Sequence, residues 1–281
     1  MRTTRHRATV VMMTTAAVLF AAAQAPAGLI GHWNFDEGSG TTTADSSPNG
    51  NTATQAGTAG SWITGKAGGA YQLGGGNCRF ELADSSDLRV TGAVTVSAWV
   101  NPTAASNFGV IAGIDQTGGS ANDMYSLKTA DSGSDKLRWD VIGPGTNVSL
   151  DSTSALFGTL GNIGDGWVHV AGVYDPSGFA GLYVNGALDV STTSVPTSIQ
   201  LKTTPFQMGH NASDSGSYPL KAAVDDVQVY NEALSADDVA FLFNNPGSAL
   251  GSALIPEPAT MCALGLAVAG LSGYVRRRRH G

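Results

Sequence analysis

Short runs of β-type residues, separated by turn-forming clusters, constrain the fold of this chain more than any other feature. Residues 94–100 (VTVSAWV) alternate in polarity, and residues 167–174 (WVHVAGVY) form a nearly continuous apolar run. Asn185-Gly186 separates two further runs, and this dipeptide strongly indicates a β-hairpin because both turn positions need a positive φ. Residues 223–230 (AVDDVQVY) form a late run. The pattern predicts short antiparallel strands joined by tight turns.

Composition excludes several other classes of protein. The chain has 37 Gly and 11 Pro but only 13% charged residues, whereas helical bundles are rich in Glu, Lys and Leu. Its 42% hydrophobic residues can fill a core, which excludes a disordered chain. No basic stripe indicates nucleic-acid binding, and no repeat of 20–50 residues indicates a solenoid or propeller. An all-β protein remains, with room for one large sandwich or two small domains.

One helix is predicted near the end of the body. Ser235 precedes Asp238 by three residues, a variant of the capping box at a helix start. Val239, Leu242 and Phe243 follow at helical spacing, and Asn-Asn-Pro-Gly at 244–247 ends the helix.

The N-terminal residues 1–27 have the features of a secretory signal. Three arginines precede an apolar stretch, and small residues follow it. We expect cleavage after Ala27, because cleavage after Ala25 would place Pro26 next to the cut. An uncleaved membrane anchor is the alternative.

The C-terminus has three parts in a fixed order. A Pro-Glu-Pro tripeptide comes first, then an apolar run from 259 to 275, then four arginines. The tripeptide and the arginines are Pro256, Glu257, Pro258, Arg276, Arg277, Arg278 and Arg279. As a helix the apolar run is about 25 Å long, at the short limit for crossing a membrane. The arginines would keep this end in the cytoplasm, so the body starts outside the membrane.

This C-terminus resembles the PEP-CTERM sorting signal of bacteria, over residues 255–281. The resemblance implies that an exosortase recognises the tripeptide and removes the tail, after a transient stay in the inner membrane. It also implies a producer of extracellular polysaccharide, with the mature protein at the cell surface or in the extracellular matrix. A plain membrane anchor is the alternative. Residues 247–254 are expected to form a linker to this signal.

Without its two ends the chain is strongly acidic. Residues 28–255 keep 8 of the 15 basic and 21 of the 22 acidic residues, a formal net charge of −13. Such a surface repels nucleic acid and anionic lipid, and it favours neutral glycans or cations.

Six segments of the body also resemble a known family when they are taken in order. They are LIGHWNFDEGSGTTTADSSPNGNTA, GKAGGAYQLGG, VTVSAWVNP, GWVHVAGVYD, GLYVNGALD and AVDDVQVYNEALSADDVAFLF. Together they are similar to laminin G-like, concanavalin A-like jelly rolls. The resemblance implies an all-β sandwich of two antiparallel sheets, in one domain over residues 28–246. It departs from the family where Val168 replaces the first of two adjacent histidines, of which His169 matches the second.

Asp225 is the most informative carboxylate of the body. Strand alternation places it on the same face as Val227 and Val229, where an unpaired carboxylate would be costly. The family resemblance implies a structural Ca²⁺ here, held by Asp225 with oxygens near Asp36. The alternative is an aspartate that accepts backbone N–H groups at a strand end.

Catalysis is not predicted. Glu81 and Asp84 have the wrong spacing for the paired carboxylates of a glycosidase, because odd spacing puts them on opposite faces of a strand. His169 lies among apolar residues of one strand face, which indicates a packed core histidine.

Glycan binding would need exposed aromatic rings beside polar groups. The candidates are Trp62, Tyr125, Trp139 and Tyr218, although packing in the core is an alternative for each ring. We therefore expect an exported, non-catalytic protein that binds extracellular polysaccharide. The alternative is a structural or adhesive matrix protein that contacts other surface proteins.

Overall fold

The computed structural model describes residues 28–82, 86–115, 123–131, 135–156, 166–210 and 218–250. Sixteen strands and one α-helix occur in these ranges. In chain order they are β1 (Leu29–Trp33), β2 (Thr42–Thr43), β3 (Ala53–Ala56), β4 (Ser61–Thr64), β5 (Gly69–Gln72), β6 (Arg79–Glu81), β7 (Val94–Pro102), β8 (Val110–Ile114), β9 (Tyr125–Thr129), β10 (Leu137–Ile142), β11 (Asn147–Asp151), β12 (Val168–Asp175), β13 (Phe179–Val184), β14 (Ala187–Thr192), β15 (Gln207–Met208), β16 (Ala222–Tyr230) and α1 (Ala236–Asn244).

The strands form two antiparallel sheets, which confirms the predicted all-β sandwich. The first sheet has the order β14-β13-β12-β7-β16-β5-β4, with β1 also paired to β16. The second has the order β11-β10-β9-β8-β15-β6-β3-β2. Most of the buried apolar side chains lie in one cluster that draws on both sheets. Each sheet therefore has an inner face toward this core and an outer face away from it.

The local predictions from turn and cap residues are confirmed. Asn185 and Gly186 join β13 to β14 with φ values of 49° and 77°. At the start of α1, the Ser235 side chain accepts the N–H of Asp238, and the Asp238 side chain accepts the N–H of Ser235. Both motifs act through the backbone of adjacent residues, so the surrounding fold does not change them.

A β-bulge in β16 changes the faces predicted for its carboxylates. Asp225 pairs with Trp99 and Gln228 with Ser97, so three steps on β16 match two steps on β7. Asp226, the extra residue, has a φ of 49°. Strict alternation fails here, and Asp225 lies on the outer face instead of beside Val227 in the core.

The outer face of the first sheet is covered. Helix α1 packs on it through Val239 and Leu242, which contact Ala171 and Val173 of β12. Beyond the helix, residues 247–250 return to the same face and hydrogen-bond to β16. The first four residues of the predicted linker are therefore part of the folded domain.

The outer face of the second sheet is polar instead. In β9, Tyr125 and Leu127 enter the core, so Ser126 and Lys128 point outward. In β10 the outward residues include Arg138, which lies directly across from Lys128. This face therefore carries charged groups in adjacent strands.

Candidate functional site

Asp225 is wholly buried, and only one of its two carboxylate oxygens accepts hydrogen bonds from residues that the structure describes. Its Oδ2 accepts the backbone N–H groups of Lys66 at 2.7 Å and Ala67 at 2.9 Å. Within the described ranges its Oδ1 has no hydrogen-bond partner. Burial is the largest cause that raises the pKa of Asp225, the two N–H bonds oppose it, and the negative charges of Asp226 and Asp36 add to it, so that the pKa is about 7. A buried oxygen without a partner is a position where a cation or a proton is needed.

Asp36 lies beside this position. Its Oδ1 accepts the N–H of Gly69 at 2.6 Å, and a Cβ on Gly68 would lie 2.2 Å from the same oxygen. Ca²⁺ takes six to eight oxygens, many of them backbone carbonyls. In the part of the chain that is described, no three His, Cys, Asp or Glu side chains gather as metal ligands. The two aspartates thus fit Ca²⁺ only in combination with carbonyl or water oxygens.

The four predicted aromatic residues have different environments. Tyr125 and Trp139 are fully buried in the core, so their prediction as ligand-binding rings is wrong. Their polar atoms bond inside the protein, Tyr125 to the carbonyl of Leu88 and Trp139 to that of Val173. A ring on the inner face of a strand cannot reach a glycan.

Trp62 and Tyr218 remain accessible. Trp62 is half-buried against Tyr71 and donates its indole N–H to the carbonyl of Gly40. Tyr218 is 37% exposed, and its ring meets that of Phe108 edge-on with centroids 5.5 Å apart. Tyr218 and Phe108, hereafter the aromatic pair, thus give one exposed ring held by a second one.

Arg138 links the aromatic pair to the polar outer face of the second sheet. Its guanidinium carbon lies 6.0 Å from the centroid of the Phe108 ring. The same guanidinium donates to both carboxylate oxygens of Asp151, at 2.6 and 2.9 Å. These hydrogen bonds lower the pKa of Asp151 and raise that of Arg138. Both groups stay charged and held in a fixed position next to the aromatic pair.

A buried ionic cluster lies beside Arg138. The ammonium of Lys128 bonds to Asp115 at 2.7 Å and to Asp140 at 2.8 Å, and Ser126 donates to Asp115 at 2.8 Å. Burial alone would lower the pKa of Lys128, but the two carboxylates outweigh it and raise this pKa. Asp140 Oδ1 is buried, and no hydrogen-bond partner for it occurs in the described structure. These four residues are called the Lys128 cluster.

The sequence analysis missed the Lys128 cluster, although a signal for it exists. Residues 125–129 (YSLKT) and 137–142 (LRWDVI) each place a polar residue at every second position. Such alternation predicts a polar outer face in two strands. It does not show that the strands are adjacent, nor that Asp115 follows a third one.

A serine and a histidine also lie in contact, but they are buried. Ser97 Oγ and His169 Nε2 are 2.9 Å apart on the outer face of the first sheet, and His169 also contacts Phe243 of α1. Burial lowers the pKa of His169 to about 4. Both side chains are buried, as expected for a packed histidine.

The predicted sorting residues from Pro256 to Arg279 and the signal at 1–27 lie outside the described residues. Within the described ranges, no helix is long and apolar enough to cross a membrane.

Comparisons with known families agree with both sequence resemblances. A family model described as the concanavalin A-like lectin/glucanases superfamily matches residues 73–240. A model of the PEP-CTERM protein-sorting motif matches residues 254–279. A search of the curated proteins finds no match.

Several solved structures share the fold. The binding domain of Paraclostridial mosquitocidal protein 1 has a TM-score of 0.59 at 15% identity, over 77% of this chain and 52% of that one. Domain 4 of AbnA, a GH43 extracellular arabinanase from Geobacillus stearothermophilus, was solved with arabinotriose. It has a TM-score of 0.56 at 24% identity, over 77% of this chain and 98% of that one. A structure of botulinum neurotoxin type C, a toxin whose cell entry depends on interaction with two ganglioside molecules, has a TM-score of 0.55 at 15% identity, over 77% of this chain and 51% of that one.

This chain spans about half the length of the toxin domains that it matches. At these identities the likeness shows the fold alone. The family model, in contrast, covers more than half of the sequence. The chain therefore belongs to the concanavalin A-like lectin/glucanases superfamily, and it carries a C-terminal PEP-CTERM sorting motif.

Proposed function

We propose that this protein is exported, sorted to the cell surface and binds a neutral extracellular polysaccharide without cleaving it. The observation that carries the proposal is the exposed Tyr218 ring, which lies with Phe108 next to Arg138 on the polar face of the second sheet. The aromatic pair, Arg138 with Asp151, and the Lys128 cluster together form the proposed glycan site.

The chemistry of this surface matches that of a sugar. A pyranose or furanose ring offers an apolar C–H face and a rim of hydroxyl groups. The Tyr218 ring can pack against the C–H face, because an aromatic side chain presents a large, rigid apolar surface. Charged groups held by salt bridges can bond to the hydroxyls without further ordering, which reduces the entropic cost of binding.

Charge favours a neutral ligand over an anionic one. Lys128 is neutralised by two aspartates, so the Lys128 cluster has a formal charge of −1. Asp151 likewise neutralises Arg138. Asp140 Oδ1 has no hydrogen-bond donor in the described structure, and because it is buried, a sugar hydroxyl can supply one only if binding opens the surface above it. Uronic acids and sulfated sugars would meet an acidic protein instead.

The comparisons support this proposal without locating the site. The AbnA domain was solved with arabinotriose, and the type C toxin interacts with gangliosides, so sugars bind to proteins that share this fold. The PEP-CTERM motif supports export and exosortase-mediated sorting.

The way in which the carboxylates of the Lys128 cluster are held supports a non-catalytic role. A glycosidase needs one carboxyl that keeps a proton for the leaving oxygen and a second that acts as nucleophile or base. In the Lys128 cluster, Asp115 and Asp140 accept hydrogen bonds from the same ammonium group. Neither carboxylate of this pair is placed to deliver a proton.

Calcium is proposed as a structural ion rather than a ligand of the sugar. Asp225 and Asp36 would hold it in the first sheet, and the unpartnered Oδ1 of Asp225 supports this assignment. The ion would neutralise two adjacent carboxylates and hold the loop at Lys66 and Ala67 against β16.

Affinity electrophoresis in gels with the organism's own polysaccharide, dextran or alginate tests the proposal. We expect retardation by a neutral polymer and not by alginate, and we expect Tyr218→Ala to weaken retardation about tenfold. Trp62→Phe is the matched control, because it alters the other accessible aromatic residue and should leave binding unchanged. If Tyr218→Ala binds as well as the wild type, the site lies elsewhere. If no polysaccharide binds to the folded protein, the protein-contacting matrix role becomes the better explanation.

A further inference from the structure

Three alternate residues of β16 hold the segment that leads to the sorting motif. Asp226 Oδ2 accepts the N–H of Gly247 at 2.8 Å, and Gln228 Nε2 donates to the carbonyl of Ser248 at 3.0 Å. The hydroxyl of Tyr230 accepts the N–H of Leu250 at 3.2 Å. Asp226, Gln228 and Tyr230 are called the linker clamp.

The linker clamp is a built feature and not a chance contact. Asp226 also accepts from His32 and Gln228, both at 2.7 Å, and it is 3% exposed. Its φ of 49° is costly for a non-glycine residue and persists only where the surroundings enforce it. All three clamp residues bind backbone atoms of the segment, so they fix its path regardless of its side chains.

The start of the domain lies at the same end of β16. Leu29 of β1 pairs with Tyr230, and the N–H of Asn231 donates to the carbonyl of Gly28 at 2.8 Å. Gly28 in turn donates its N–H to Glu232 at 2.8 Å. The described chain therefore enters and leaves beside Tyr230, on the first sheet.

The clamp limits how far the sorting motif can lie from the domain. From Leu250 to Pro256 the chain has six steps, which span at most about 22 Å when fully extended. If the clamp were open, the span would start at Pro246 and reach about 36 Å. A tail anchored in a membrane would thus keep the Tyr230 end of the first sheet close to that membrane.

We propose that the linker clamp sets the orientation of this protein on the membrane before its tail is removed. The Tyr230 end of the first sheet faces the lipid surface. The outer face of the second sheet belongs to the opposite layer of the sandwich, about 10 Å further from the lipid, and faces away from it. The proposal rests on insertion of the predicted tail helix and is independent of glycan binding.

The tether, and not attraction to lipid, imposes this orientation. Two acidic residues lie near the chain exit, namely Glu232 and Asp238, whose charges act on Tyr230. They oppose adsorption on anionic headgroups, and this repulsion is screened within about 10 Å at moderate salt. We therefore expect the orientation to persist when the salt concentration is raised.

Fluorescence quenching on vesicles tests the orientation. Residues 28–281 are inserted into vesicles of phosphatidylethanolamine and phosphatidylglycerol that contain a headgroup spin-labelled lipid. Both native cysteines are replaced (Cys78→Ser and Cys262→Ser), and a dye is attached to Asn231→Cys or to Ser149→Cys. We expect about twofold stronger quenching at 231, near the exit, than at 149, on the opposite face.

Two changes then test the clamp itself. Gln228→Leu with Tyr230→Phe removes both partners of one buried hydrogen bond, which is milder than removing one. A Gly-Ser insertion after Leu250 lengthens the tether and leaves the clamp intact. We expect both to abolish the difference between the dye positions. Tyr183→Phe removes a hydroxyl from the same sheet face that makes no hydrogen bond to residues 247–250, so it should preserve the difference.

Equal quenching at the two positions, or stronger quenching at 149, would overturn the proposal. So would failure of the chain to float with the vesicles, because the tail would then not anchor it. If the double variant does not fold, Tyr230→Phe alone is used, with hydrogen exchange of the Leu250 amide as the measure of clamp opening. Faster exchange with an unchanged quenching difference would show that the clamp does not set the orientation.

Discussion

The two outer faces of this sandwich both carry a buried polar network, and the network around Asp226 differs from the Lys128 cluster in how its polar groups are satisfied. On the first sheet, Asp226 receives three donors from within the domain, and α1 and residues 247–250 cover the surface. On the second sheet, Asp140 keeps one buried oxygen without a partner in the described structure, and Tyr218 is exposed nearby. The first face thus contains a network around Asp226 whose acceptor is fully used, next to the open oxygen of Asp225 that is proposed to bind calcium, whereas the Lys128 cluster on the second face has an open acceptor near an exposed ring.

This difference separates stability from ligand binding. A polar network whose members all have partners contributes to a unique fold, because removing one member leaves the others buried and unpaired. A network with an open position gains most when a ligand fills it. Substitutions on the first face should therefore change the free energy of unfolding, and those on the second should change glycan affinity.

The largest effect is expected for Asp226→Ala. The change leaves three donors without an acceptor and puts alanine at a φ of 49°. We expect the free energy of unfolding to fall by about 3–5 kcal/mol in denaturant titrations. Asp226→Asn is the control, because asparagine tolerates this backbone conformation and keeps one acceptor. Equal losses for the two variants would mean that the hydrogen bonds of Asp226 matter little.

Asp225 should make stability depend on both pH and calcium. Its pKa is raised from 3.8 to about 7 in the folded protein, so the protonated form is favoured. Without calcium, the contribution of Asp225 to stability should therefore be complete below pH 4. Up to about 4 kcal/mol of it should be lost as the pH rises through 7. Calcium should restore much of this lost stability at pH 8, where Asp225 is ionised, and should add little stability at pH 5.

Thermal unfolding with calcium and with EDTA, at both pH values, measures this dependence. Asp225→Asn should remove the pH slope and the calcium response together. A calcium response that survives in Asp225→Asn would place the ion elsewhere.

His169, on the same outer face, should make stability depend on pH in the opposite direction and by a smaller amount. Its folded pKa of about 4 lies below the ordinary value of 6.5, so the unfolded chain binds the proton more tightly. This contribution to stability is complete above pH 6.5, and about 3 kcal/mol is lost as the pH falls through 4. Urea titrations of His169→Gln should show a shallower acid slope. Ser97→Ala leaves the buried imidazole in place and should retain the slope.

The parts of the fold that could be predicted from the sequence are those that depend on a few adjacent residues. The Asn185-Gly186 hairpin and the Ser235 cap depend on adjacent residues, so both predictions are confirmed. The face of Asp225 was predicted wrongly, because one extra residue in β16 shifts the alternation. No local pattern distinguishes a bulged strand from a regular one when the extra residue is an aspartate.

The candidate glycan site could be predicted only in part, because strand order determines it. Tyr125 and Trp139 are aromatic residues like Tyr218, and only the register of β9 and β10 shows that their rings enter the core. The Lys128 cluster joins residues from the ends or middles of three strands. Each residue is ordinary by itself, and the contact between them arises from tertiary structure.

The smallest expected effect is the most direct test of the comparison between the faces. Asp140→Asn keeps the shape of the side chain but replaces one carboxylate oxygen with an amide. Lys128 retains its bond to Asp115, so we expect a loss of about 1 kcal/mol in stability. Glycan affinity should fall about tenfold, because the acceptor for a sugar hydroxyl is weakened.

Calorimetric titration with the polysaccharide measures the affinity, and Ser149→Ala on the same face is the control that should bind normally. If Asp140→Asn instead lost several kcal/mol of stability and bound as well as the wild type, the Lys128 cluster would be a structural network like that of Asp226. The two outer faces would then differ only in the elements that cover them, and the glycan site would have to rest on the aromatic pair alone.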